Sequence, residues 1–194
     1  YLDFLEQIAD FITAKAKELK AQGKDVVGFG AGEPDFNTPE NICEAAIKAI
    51  KDGFTKYTPA SGTNELKAAI SKKFKEFNGL DYATDQIVIS NGGKHSLTNI
   101  FTALINPGDE VIIPAPFWLS YPEIVKLAGG VPVIVTTTKE QNFKLTAEDL
   151  AAAVTDKTKA LVLNTPNNPT GMLYTEEELR AIAKVAVEKD FYVV

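Results

Sequence analysis

Residues 87–118 read IVISNGGKHSLTNIFTALINPGDEVIIPAPFW, and the order of elements in this stretch decides the fold. A short apolar run at 87–90 breaks at Asn91-Gly92-Gly93 into a segment with helical apolar spacing, 94–105. Asn106-Pro107-Gly108-Asp109 turns the chain, and a second almost wholly apolar run follows at 110–114. Strands that are apolar on both faces and joined by helices form a mostly parallel sheet covered on both sides. The fold class expected is therefore α/β.

The rhythm continues in both directions. Toward the C-terminus the pattern predicts a short helix at about 119–127, a strand at 131–136 after Gly129-Gly130, and a helix at 146–154. A strand at 160–163, a loop at 164–171 and a helix at 175–189 follow, with Thr175 and Glu178 at capping-box spacing. Residues 190–194 (DFYVV) read as the opening of a buried strand, which leads to the expectation that the chain is part of a longer protein. Toward the N-terminus, apolar spacing predicts a helix at 5–21 stopped by Gly23. Thr38 is the expected N-cap of a second helix, with Pro39 at its first position, running to about Lys51. A loop at 56–62 precedes an amphipathic helix at 64–77 that Asn78-Gly79 ends.

Composition excludes several classes of function. The formal net charge of -6 is the wrong sign for a nucleic-acid protein, which carries a basic face. No apolar run approaches the roughly 18 residues of a membrane span, and no signal peptide is evident. The single cysteine, Cys43, allows neither an internal disulfide nor a zinc cluster and is expected to be a buried, inert thiol. A cytoplasmic location is the expectation that follows, with no metal, nucleic-acid or membrane partner. Arg180 is the only arginine, so a bidentate carboxylate clamp must use it or borrow one from elsewhere. The sequence around it favours pairing with Glu176 or Glu177.

Ligands of such sheets collect at the carboxyl ends of the strands, so the loops there carry the chemistry. Ser90-Asn91-Gly92-Gly93-Lys94-His95-Ser96 offers free backbone amides and a positive dipole end, which suits a phosphate. Read alone, it is equally a tight strand–helix turn; it is neither the dinucleotide fingerprint nor a Walker loop. In 114–122 (PAPFWLSYP) the only tryptophan, Trp118, could stack on a flat ligand or simply pack. In 164–171 (NTPNNPTG) the asparagines could hold a ring hydroxyl or a carboxylate, or serve only as turn residues.

Taken together and in order, these strings resemble the class I and II aminotransferases of pyridoxal phosphate (PLP) fold-type I, nearest the bacterial aspartate aminotransferase subgroup. The matching strings are GAGEPDFNTPE at 30–40, KYTPASG at 56–62, SNGGKHSL at 90–97, NPGDEVIIPAPFWLSYPEIV at 106–125 and NTPNNPTG at 164–171. The resemblance implies a three-layer α/β sandwich with a mostly parallel sheet, the large PLP-binding domain, incomplete at its C-terminal side. Residues 1–36 would belong to the small domain and 37–194 would be the first part of the large one. It implies pyridoxal 5′-phosphate as cofactor, an L-amino acid (aspartate in the first instance) and a 2-oxo acid as substrates, and a homodimer with shared active sites.

The resemblance also implies roles. Gly93 and Lys94 would offer backbone amides to the phosphate while Gly92 shapes the turn. Trp118 would stack on the pyridine ring, and Asn168 would donate to its phenolic oxygen and help place the substrate carboxylate. Gly32 would lie against the substrate through its backbone, and Tyr57 would touch the phosphate in the partner subunit's site. His95 is expected to pack beside the site rather than act as a base. The Schiff-base lysine, the aspartate paired with the pyridinium nitrogen and the substrate-binding arginine would lie beyond Val194. No catalytic residue is therefore expected within the chain, which would be inactive alone. Gln7-Ile8-Ala9 stand where relatives place a serine-alanine-threonine type of tripeptide that contacts substrate, a departure that bears on substrate choice. Two other readings are a non-catalytic module that binds PLP or another phosphate ligand without a covalent bond, and a half-domain that needs a complementing partner.

Overall fold

The computed structural model describes residues 2–27, 32 and 34–194, with the backbone alone over 2–10. The chain divides into two compact units, Tyr1–Tyr57 and Thr58–Val194. The first holds helices α1 (Leu2–Ala21) and α2 (Glu40–Lys51). Helix α2 starts one residue later than Thr38 as N-cap requires. Pro39 is the cap residue, its extended ψ of 139° placing Glu40 first, and no side chain caps the helix. The Thr38 carbonyl instead accepts from the thiol of Cys43 at 3.6 Å, and that thiol is half-buried rather than buried.

In the second unit α3 (Asn64–Lys73), capped by Thr63, runs on as a π turn, Phe74–Asn78, until left-handed Gly79 ends it. Then come α4 (Gly93–Leu104), β1 (Glu110–Ala115), α5 (Ser120–Leu127), β2 (Val131–Thr136) and α6 (Ala147–Ala153). The strand β3 (Thr158–Leu161), α7 (Glu176–Lys189) and β4 (Tyr192–Val193) complete the unit. All strand pairs are parallel, in the order β2-β1-β3-β4.

Strand alternation divides the core between the two faces of this sheet. Val111 and Ile113 of β1 pack with Phe101 of α4 and Ile124 and Val125 of α5, whereas Ile112 points the other way onto Leu150 of α6 and Ile182 of α7. Helices thus cover both faces, the three-layer arrangement expected of doubly apolar strands. Burying each of these aliphatic side chains contributes about 1.5–3 kcal/mol, which makes β1 the anchor of the unit.

The segment 87–90 departs from expectation because it joins no ladder among the described residues. Ile87 is buried and Val88 exposed, so the alternation of a strand is present. Its backbone bond goes to a loop instead, the Ile89 N–H donating to the Ser61 carbonyl at 3.0 Å. A strand needs a strand beside it, and none of the four lies there. Gly62, next to Ser61, has φ +97°, and a Cβ on it would come within 2.2 Å of the Ile89 side chain, so the close approach requires glycine.

Candidate functional site

The loops after 87–90, β1, β2 and β3 are tied together by specific contacts. The first becomes the start of α4. Gly92 occupies the cap position at φ 84°, a conformation that favours glycine, and has no side chain to offer the helix. The first amides of a helix have no intrahelical acceptor, and those of Gly93, Lys94 and His95 find none among the described residues. No acidic residue stands in the first turn, and the side chain of Lys94 does. The potential at this helix start is therefore positive and open.

Lys94 also reaches the second loop: its Nζ lies 5.2 Å from the centre of the Trp118 ring, within cation–π range. Trp118 is half-buried against the core cluster of α4, α5 and β1, and Tyr121 meets it edge-to-face at 5.5 Å and 83°. Burial raises the Tyr121 phenol above its ordinary pKa, so it stays protonated at neutral pH. The indole is thus held by Lys94 over its ring, Tyr121 at an edge-to-face angle and the core cluster. His95, expected to pack beside the site, is exposed; its Nδ1 accepts the Asn91 N–H at 3.0 Å and braces the turn before α4.

The third loop separates its two adjacent asparagines. The Asn168 N–H donates to Asn164 Oδ1 at 2.8 Å, while its side chain, exposed, has no hydrogen-bond partner among the described residues. Asn167 is committed instead. Its Nδ2 donates to the Pro116 carbonyl at 3.2 Å and to Thr170 Oγ1 at 2.8 Å. Sequence reasoning passed over Asn167, because its link to Pro116 spans 51 residues and leaves no local signature.

Between these loops lies a cleft lined by Pro116, Tyr121, Phe143, Asn164, Asn167 and Tyr174 among others, with about 20 Å³ of free space. That is room for about one water molecule, not for a ring. Phe143 enters from the β2–α6 loop, where it and Asn142 both hold positive φ. Tyr174 closes the far side: its hydroxyl accepts the Leu145 N–H at 2.8 Å and its own N–H donates to Thr165 Oγ1 at 3.3 Å. This cleft is too small for a flat ring; the α4 start, Trp118 and Asn168 stand on the loops around it.

The remaining expected residues stand outside this unit. Tyr57 ends the first unit with a fully exposed ring, and Gly32 is exposed with open space around its Cα. Residues 28–31 and 33, which include Gly30, Ala31 and Glu33 of the GAGEPDFNTPE string, lie outside the described residues, as do the side chains of Gln7-Ile8-Ala9. Arg180 donates to Glu176 through Nε at 2.9 Å and Nη2 at 2.6 Å, on the exposed face of α7. Among the described residues no helix is long and apolar enough to cross a membrane, and no three potential metal ligands gather.

The family model for aminotransferase class I and II matches residues 24–194. An aspartate aminotransferase of Bacillus sp. (strain YM-2) is 60% identical over 183 residues, covering 94% of this chain and 47% of that protein. A probable aspartate/prephenate aminotransferase of Rhizobium leguminosarum bv. phaseoli is 56% identical over 91% of this chain and 44% of its own length. Among solved structures, the aspartate aminotransferase of Thermus thermophilus with maleate superposes with a TM-score of 0.89 at 49% identity, covering 95% of this chain and 48% of that one. The chain spans about half the length of the relatives it matches.

Proposed function

The chain belongs to the class I and II aminotransferases, and from that premise we propose that it supplies the front part of an enzyme that moves an amino group from an L-amino acid to a 2-oxo acid with pyridoxal 5′-phosphate. When bound, that cofactor supplies the electron sink that makes the substrate α-proton labile. The residues described here do the holding. The amides of Gly93 and Lys94, with that of His95, receive the phosphate, Gly92 gives the turn its shape, and the Lys94 ammonium adds charge. Trp118 carries the ring on its face. Asn168, whose side chain has no hydrogen-bond partner among the described residues, donates to the ring oxygen and helps place the substrate carboxylate. Gly32 lies along the substrate, and Tyr57 reaches the phosphate site of a second subunit, which makes the working form a homodimer. Residues 1–36 belong to the small domain and 37–194 to the large one.

None of these groups is suited to move the α-proton. That task, with the covalent hold on the cofactor, falls to a lysine outside these residues, as do pairing with the ring nitrogen and clamping of the α-carboxylate. Aspartate is the favoured donor: both relatives named above carry it in their names, and maleate in the Thermus thermophilus structure is likewise a four-carbon dicarboxylate. The protein would work in the cytoplasm.

The observation that carries the reading is the contact between Lys94 and Trp118, which joins an anion-ready helix start to an aromatic platform in one shelf. Its test is a transamination assay of the full-length protein, with aspartate against a panel of 2-oxo acids, beside borohydride trapping of PLP. Amino transfer with trapped cofactor is the expected result. Failure to hold PLP at all sinks the reading, and saturable binding without trapping favours the non-covalent module.

A further inference from the structure

We propose that Asn167 is a positioning residue that locks the Trp118 loop to the Asn168 loop, so that ring platform and ring-oxygen donor keep one fixed spacing. The proposal rests on the cofactor reading above. Four hydrogen bonds meet at this residue. Its Nδ2 donates across the shelf to the Pro116 carbonyl at 3.2 Å, two residues before Trp118, and back to Thr170 Oγ1 at 2.8 Å. Its N–H donates to the Met172 carbonyl at 3.0 Å, and its own carbonyl accepts the Gly171 N–H at 2.7 Å. The backbone pair closes the 167–172 turn, and the side chain fastens that closed turn to the loop after β1. No other hydrogen bond among the described residues joins the 164–171 loop to residues 116–119. Without it no hydrogen bond among the described residues joins the two loops directly, and a misplacement of about 1 Å at a binding constellation is costly.

Asn168, next in the chain, depends on this arrangement. Its N–H is held by Asn164 and its side chain has no hydrogen-bond partner among the described residues, so its direction is set by the turn that Asn167 anchors. The chemistry asks for a side chain with two donor hydrogens on one nitrogen, one for each acceptor. Aspartate has the same shape and would set a carboxylate oxygen against the Pro116 carbonyl, replacing attraction by repulsion.

The test uses full-length protein and PLP affinity, with Asn167→Asp and Asn167→Ala measured in the wild-type and Trp118→Ala backgrounds. In the wild-type background either substitution is expected to weaken PLP binding about tenfold, the scale of a platform held out of register with the ring-oxygen donor. In the Trp118→Ala background, where the platform is already gone, the same substitution should cost no more than about threefold, because residues that act as a unit are not additive. A merely structural asparagine would lower the melting temperature and weaken binding equally in both backgrounds. Equal losses in the two backgrounds overturn the proposal, as does binding by both variants at wild-type affinity. Failure of both variants to fold also overturns it, since Asn167 would then belong to the fold rather than to the shelf. If wild-type protein does not bind PLP, the cofactor reading itself falls, which separates the two failures.

Discussion

Helices α4 and α7 lie on opposite faces of one sheet and begin in opposite ways. At α7 the Thr175 hydroxyl accepts the Glu178 N–H at 3.2 Å, and the Glu178 carboxylate accepts the Thr175 N–H at 2.7 Å. Glu176, Glu177 and Glu178 fill its first turn with negative charge. At α4 the cap is a glycine, the first turn has no acid, and Lys94 stands where α7 has carboxylates. A helix that satisfies its own amides is finished as a structure. One that leaves them open beside a cation keeps a place for an anion.

The comparison breaks if α4 is open merely because it is loosely attached. Phe101 on α4 and Ile182 on α7 are both almost fully buried. Phe101→Ala is expected to cost about 3–5 kcal/mol and Ile182→Ala about 2–5 kcal/mol in urea unfolding of the full-length protein. A loss below about 1 kcal/mol for Phe101→Ala would show weak docking of α4 and remove the contrast.

Reversing the charge at the open start sharpens it. Lys94→Glu should weaken PLP binding by about 2–3 kcal/mol, roughly 30- to 150-fold, while the urea midpoint holds or rises slightly because a first-turn carboxylate suits the dipole. Equal affinity with and without the substitution would dissociate the helix start from the ligand. The mirror experiment is Thr175→Ala, expected to cost about 1 kcal/mol of stability and to change PLP affinity by less than about twofold. A large loss of affinity there would mean the two starts do not differ in role.

The smallest effect is in pH. Hydrogen bonding from Lys144, then from the Thr175 N–H, holds the Glu178 carboxyl below its ordinary pKa. A depressed carboxyl adds stability that is present above its unfolded pKa of about 4.3 and is lost as pH falls through the lower folded value. Glu178→Gln should therefore flatten the acid limb of the stability curve below about pH 4.3 by a few tenths of a kcal/mol, reduced because the pair is solvent-screened. An unchanged acid limb would deny the ion pair any part in holding the start of α7.

Much of this was legible in the sequence because the signals were local. The apolar runs at 110–114 and 131–136 have strand composition and form β1 and β2, although β2, at the sheet's edge, is only partly buried, and Thr175 with Glu178 announces its own capping. Asn91-Gly92-Gly93 marked the turn into α4, and Arg180 pairs on its own helix, as its spacing from Glu176 implies. What escaped depends on partners far away in the chain. The run at 87–90 has strand composition but finds a loop rather than a strand at its side. Thr38 has the chemistry of a cap, yet the extended backbone of Pro39 shifts the helix by one residue. Asn167 and Asn168 are the same residue type in sequence; the Pro116 carbonyl, 51 positions back, and the Thr170 hydroxyl make the first of them the brace.

Whether the start of α4 seats a phosphate beside an aromatic platform is decided by comparing pyridoxal 5′-phosphate with pyridoxal. Both carry the same ring, and once the pyridoxal concentration is corrected for the fraction closed into its internal hemiacetal, the ratio of their dissociation constants in the full-length protein isolates the phosphate. Pyridoxal is expected to bind at least about 100-fold more weakly, and Lys94→Glu to narrow the gap. Two ligands binding within about threefold of each other would contradict a phosphate seat there.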